Sequence, residues 1–200
     1  GTANVSAVPS GAESIEEELG VGRSVATNLS ASKTIASVED NAEIIGAQNL
    51  SVAADGTQSA NITALAGKLA GDSANAFTVA GTLTQNQTVA LIGAGASMML
   101  GGTFTARSNH RATNLVRARS NAAATVGFLD PSEATATPIA VNLANDIALT
   151  NVAGEVTASG AIEITSDADV ENQVDGIAGV HGADPDVTSV SEMVEDEIAF

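Results

Sequence analysis

Two histidines and two pairs of closely spaced aspartates are the side chains of this 200-residue chain whose types could do chemistry. His110 stands alone among arginines, a poor neighbourhood for a metal cation. His181 precedes Asp184 and Asp186 in HGADPD, where Gly182 and Pro185 read as a surface turn. Calcium takes about six to eight oxygens, so Asp167/Asp169 and Asp184/Asp186 are the calcium candidates, without EF-hand or glycine-rich nonapeptide spacing. No other cofactor is expected. The absence of cysteine excludes a thiol catalyst, a disulfide scaffold and a Cys-bound zinc or iron–sulfur centre. Enzymes that cut polysaccharide use paired carboxylates in a groove, and sugar-binding grooves favour Trp and Tyr platforms. This chain has neither Trp nor Tyr. The segments GVGRSVA (20–26) and GAGASM (93–98) lack the third glycine of a dinucleotide loop, and no GxSxG elbow occurs. The expectation is a protein that is not an enzyme, with a polysaccharide-acting β-helix enzyme as the remote alternative.

Charge says more. Seven Lys/Arg against 24 Asp/Glu give a formal net charge of −17, which repels nucleic acid and anionic membrane surfaces. Arg107, Arg111, Arg117 and Arg119 fall within a single short segment, and no Lys or Arg follows them. The acidic C-terminal part, with Glu195, Asp196 and Glu197 near its end, is their natural partner if copies of the chain meet. The most apolar stretch, residues 89–102, is too short and glycine-rich to span a bilayer, so no membrane span is expected. The start at Gly1, without an initiator Met or signal peptide, reads as a processed product or an excised fragment.

The elements that would position these residues follow from internal similarity. Residues 24–55, 77–107 and 138–169 align. Val25, Thr34, Ile35, Ala36, Val38, Ala42 and Leu50 correspond to Val79, Thr88, Val89, Ala90, Ile92, Ala96 and Phe104 at a constant offset. The third unit matches through Asn28/Asn142, Leu29/Leu143, Val38/Val152 and Gly46/Gly160. After a two-residue deletion it matches again through Leu50/Ile162, Val52/Ile164 and Asp55/Asp167. Each unit reads as apolar alternation, a turn carrying Asn, Asp or Gly, and alternation again. Short strands with 38 alanines and four aromatic residues suit a narrow all-β parallel β-helix or β-solenoid, stacked about 4.8 Å per coil. Coils of roughly 20–25 residues would make a rod of about eight to ten coils. An antiparallel β-sandwich is the alternative.

Between the units, residues 62–69 read as a short helix or a further coil, and 107–129 as a loop or an added strand pair. The ends read as capping or docking segments. SGAESIEEELG (10–20) has a capping box formed by Ser10 and Glu13, and TSVSEMVEDEIAF (188–200) repeats it with Ser189 and Glu192. The expected organisation is an N-terminal segment over 1–23, a solenoid over 24–170 and an acidic C-terminal segment over 171–200.

The repeat units resemble those of leukotoxin-type filamentous adhesins, the haemagglutinin-like secreted proteins of Gram-negative bacteria. The likeness covers roughly half of the chain. The second unit departs from it, with Thr82 and Arg107 near the places of the family's Asn and terminal Asp. The resemblance implies a parallel β-helix, export to the cell surface and adhesion to host or neighbouring cells or matrix, with no catalytic motif. The expected role is thus a structural, extracellular surface protein, part of an adhesin stalk. The alternative is a self-assembling subunit of a pilus-like filament or surface lattice, its partners being copies of itself.

Overall fold

The computed structural model describes residues 2–7, 19–70, 73–124 and 133–182. Within them the regular structure is β-strand throughout: β1 (Thr2–Ala7), β2 (Leu19–Val38), β3 (Glu43–Ala47), β4 (Leu50–Ala70), β5 (Ser73–Ile92), β6 (Ser97–Leu100), β7 (Phe104–Ala124), β8 (Glu133–Val152), β9 (Glu155–Ala158) and β10 (Ile162–Gly182). All pairings are parallel. A front sheet β2-β5-β8 and a back sheet β1-β4-β7-β10 enclose the interior, and a short tip sheet β3-β6-β9 joins them at one end. The described residues form a parallel β-solenoid of three full coils, with β1 laid on Ser59–Ala64 of β4 as the start of another turn. Parallel neighbours exclude the antiparallel sandwich.

The coils are much larger than expected. Register partners lie 54 residues apart between the first two coils, and 60 or 58 between the second and third. Three broad coils therefore replace eight to ten narrow ones. Each coil carries two strands of 20 or 21 residues, about 65 Å end to end at roughly 3.3 Å per residue, and three rungs stack to only about 14 Å. Residues 62–69 are not a helix but the continuation of β4, and most of 107–129 is the long strand β7. Strands also run past the expected solenoid limits, since β2 starts at Leu19 and β10 continues to Gly182. The expected helical segments over 10–20 and 188–200 lie outside the described residues, apart from Leu19 and Gly20, which open β2.

The aligned units are stacked as read: Val25 on Val79, Ile35 on Val89, Leu50 on Phe104, and Leu29 on Leu83 on Leu143. The two-residue deletion belongs elsewhere, in the turn before β9. There, Ala153 and Gly154 replace the four residues that separate β2 from β3. Gly46 consequently does not stack on Gly160. It sits at φ 80° where the β3–β6 register shifts, while the Gly160 amide bonds Gly102. In the turn one coil apart, Asn41 at φ 59° underlies Gly95 at φ 70°, a left-handed position that only these residue types occupy cheaply.

Strand period two sends even-numbered residues inward along the front and back sheets. The inward set is small. Three apolar clusters lie along the interior: Val52, Ile92, Met98, Leu100 and Phe104 near the tip sheet; Ile62, Val116 and alanines in the middle; and Ala66, Ala74, Ala76, Ala122 and Ala124 at the far end. Alanine on both facing sheets fills a thin interior, which is why the chain manages with so few aromatics. Pro138 sits in β8, the outermost strand of the front sheet among the described residues.

Candidate interaction surfaces and a buried polar cluster

Between the first two apolar clusters the interior is polar. The front sheet contributes a column of register partners, Ser32, Asn86 and Asp146. Ser32 Oγ donates to Asn86 Oδ1 at 2.7 Å, and Asn86 Nδ2 donates to Asp146 Oδ1 at 2.6 Å. From the back sheet, His110 reaches the same oxygen, with Nε2 at 3.2 Å from Asp146 Oδ1 and Nδ1 at 2.9 Å from Thr88 Oγ1. With its proton on Nε2, the ring donates to Asp146 and accepts the Thr88 hydroxyl. The His110 and Asp146 side chains are 2% and 3% exposed. Gly56 and Ala168 flank His110 in its column, and a Cβ on Gly56 would stand 2.1 Å from Thr88 Oγ1 and 3.0 Å from His110 Nδ1. Glycine is thus required for the imidazole and hydroxyl to fit.

Hydroxyl, imidazole and carboxylate in this order match the groups of a nucleophile, base and orienter. Thr88, however, is 1% exposed between two sheets, so its hydroxyl does not meet a substrate from solvent. The arrangement satisfies buried polar groups and fixes the facing of the two sheets. Asp146 Oδ2 and Thr84 Oγ1 are left without a partner inside. Sequence reasoning missed this cluster because it took His110 with its arginine neighbours, whereas strand alternation turns the histidine in and the arginines out. The signal was present. The offsets that align the units also align Ser32, Asn86 and Asp146.

The arginine cluster lies on the outer face of the back sheet. Arg107 Nη2 donates to Asp55 Oδ2 and Arg117 Nε to Asp175 Oδ2, each at 3.2 Å. Arg111 is placed between Thr57 and Asp169, and Arg119 between Leu65 and Ile177, in the neighbouring strands. At least two of the four arginines therefore meet acids of adjoining coils of their own chain. Glu195, Asp196 and Glu197 lie outside the described residues. Of the calcium candidates, Asp167 and Asp169 occupy successive outward positions of β10, with Asn109 and Arg111 as register partners, and Asp184 and Asp186 lie outside the described residues. Among the described residues no group of three or more potential ligands could hold a metal ion. Asp169 also has a guanidinium as its strand neighbour, which opposes a cation there.

Two further surfaces emerge only from the structure. The outer face of the front sheet carries three wholly apolar columns among polar ones: Val25, Val79 and Ile139 form one, Leu29, Leu83 and Leu143 a second, Ile35, Val89 and Leu149 a third. Several of these are half or more exposed, Leu29 reaching 78%. The end formed by β8, β9 and β10 is also open among the described residues. Among the described residues no strand pairs with its free edge, and Ile162, Ile164, Val170, Val174 and Val180, which point inward, stay exposed.

No helix among the described residues is long and apolar enough to cross a membrane. No family model, curated protein or solved structure matches this chain.

Proposed function

We propose that this chain is a structural, non-enzymatic module of an extracellular surface filament, in the manner of an adhesin stalk that meets host or neighbouring cells or matrix. The bare end of the third coil carries the reading. A parallel edge of 20, 4 and 21 residues, with its inward apolar side chains uncovered, is completed by a further coil. In a stalk that coil comes from the same polypeptide, and repetition of a neighbour-stabilised unit yields length and stiffness. The resemblance of the repeat units to filamentous adhesins supports the surface location. The burial of the Thr88–His110–Asp146 set supports a role without catalysis.

Antibodies raised against the purified chain test this on the organism that makes it. They are expected to label intact cells along thin surface fibres. Labelling that requires permeabilised cells overturns the proposal. The same bare end favours a second reading, in which another copy supplies the next coil and the chain is a self-assembling subunit. Electron microscopy of the purified chain separates the two. Fibres about 65 Å wide with strands across the axis support self-assembly, and discrete particles support the stalk.

A further inference from the structure

The uncovered outer face of the front sheet calls for a different partner from that of the open end. Strand alternation would ordinarily place polar residues outward, and the back sheet obeys, showing Asp55, Arg107, Arg111, Arg117, Asp169 and Asp175 to solvent. The front sheet reverses this. Its inward positions are mostly Ala, Ser, Thr and Asn, with Val38, Ile92 and Val152 near the tip sheet, and its outward positions hold most of the larger apolar residues. Charge is segregated in the same sense. In a chain of net charge −17, β2 and β5 contain no acid at all, and β8 contains only Glu133 at its first position and Asp146, which turns inward. Arg23 and Lys33 are the cations of these strands, both on the edge strand β2.

We infer that two copies of this chain pair side by side through the outer faces of their front sheets, around the Leu29/Leu83/Leu143 column. The area fits. Three strands of 20 residues present about 900 Å² at roughly 3.3 Å per residue and 4.8 Å per strand. Apolar and polar positions share that area, the apolar columns being separated by Gln85, Gln87 and Asn145. Pairing two such faces buries about 1,800 Å², within the range of stable specific interfaces. The charge pattern fits too, because pairing through this face turns the acidic back sheets of both copies away from each other into solvent. A flat face carrying the same leucine on three successive coils is also self-complementary, as a two-fold interface requires. If further coils follow, the same columns lengthen and the pairing joins whole solenoids laterally.

The test is the mass of the purified chain in solution by sedimentation equilibrium, in about 0.15 M and 1 M NaCl. The expected result is a species of twice the 19.8 kDa chain mass, undiminished at high salt because the contact is apolar. Leu83→Glu is expected to weaken the dimer at least about 100-fold while leaving the circular dichroism of the fold intact, since the side chain points outward. Phe77→Glu, on the same face, repeats the test should the first variant misfold. Val174→Lys, on the open end, is expected to leave the dimer unchanged and separates this contact from stacking of ends. A wild-type chain that stays monomeric up to about 100 µM overturns the inference. So does a dimer that survives both glutamate variants, or a monomer that instead pellets with lipid vesicles through this face.

Discussion

The second and third coils are built to one plan and meet opposite fates. Phe104 and Ile162 occupy the same inward position, one coil apart in the back sheet, yet Phe104 is fully buried and Ile162 is 50% exposed. Ala112 and Val170, and Val116 and Val174, repeat the contrast. Nothing local distinguishes them: strand, direction and facing are shared. The difference is that β7 has β4 on one side and β10 on the other, whereas among the described residues β10 has a neighbour on one side only. Burial in this molecule is therefore a property of the stack, and a coil matures only when the next is laid on it.

The sharpest probe of that contrast is truncation within one column. Phe104→Ala is expected to cost about 3–5 kcal/mol in denaturant unfolding, as for buried aromatics elsewhere, and Ile162→Ala about 1 kcal/mol. Equal costs would break the comparison and show that the third coil is covered. Next in size is the polar layer, where His110 of the second coil meets Asp146 of the third. His110→Ala leaves the Asp146 carboxylate buried with one donor fewer, and the expected loss is about 3 kcal/mol. Asp146→Asn in the same background should be far less than additive, which a double-mutant cycle reads. The smallest effects belong to the outer face. Arg117→Ala, which breaks a partly sheltered pair, is expected to cost up to about 1 kcal/mol, and Arg107→Ala, breaking a pair exposed by 53% on both sides, no more than about 0.5 kcal/mol. A larger loss at Arg107 would mean that surface pairing between coils contributes as much as the interior does.

The parallel solenoid was legible because its units recur in sequence at the spacing at which they stack, and Val25 on Val79 or Leu29 on Leu143 needed no structure to align. Coil size was not legible. Runs such as TIASV and TVALI read as strands of ordinary length bounded by polar turns. In fact the Asn, Ser and Thr residues between apolar runs continue the strand and face a polar interior, as Asn86 and Thr88 do. Alternation of apolar with polar residues also carries no sign. It does not say which set faces inward, and in the front sheet the larger apolar set faces out, against the usual expectation. The arginine segment was identified as a surface feature, but its acids come from Asp55 and Asp175, 52 and 58 residues away in sequence. Only the coil register brings them together.

The register itself is the claim beneath all of this, and the chain's lack of native cysteine makes it directly testable. Thr113 and Glu171 are outward-facing register partners in β7 and β10, so their Cα atoms should lie about 4.8 Å apart, within reach of a disulfide. In Thr113→Cys/Glu171→Cys, mild oxidation is expected to close an intramolecular bond nearly quantitatively, read by mass spectrometry of non-reduced digests. Thr113→Cys/Thr165→Cys places the second thiol six residues away along β10, about 20 Å distant, and should not close. Ready closure of the 113/165 pair, or failure of the 113/171 pair under the same conditions, would contradict broad coils stacked in parallel.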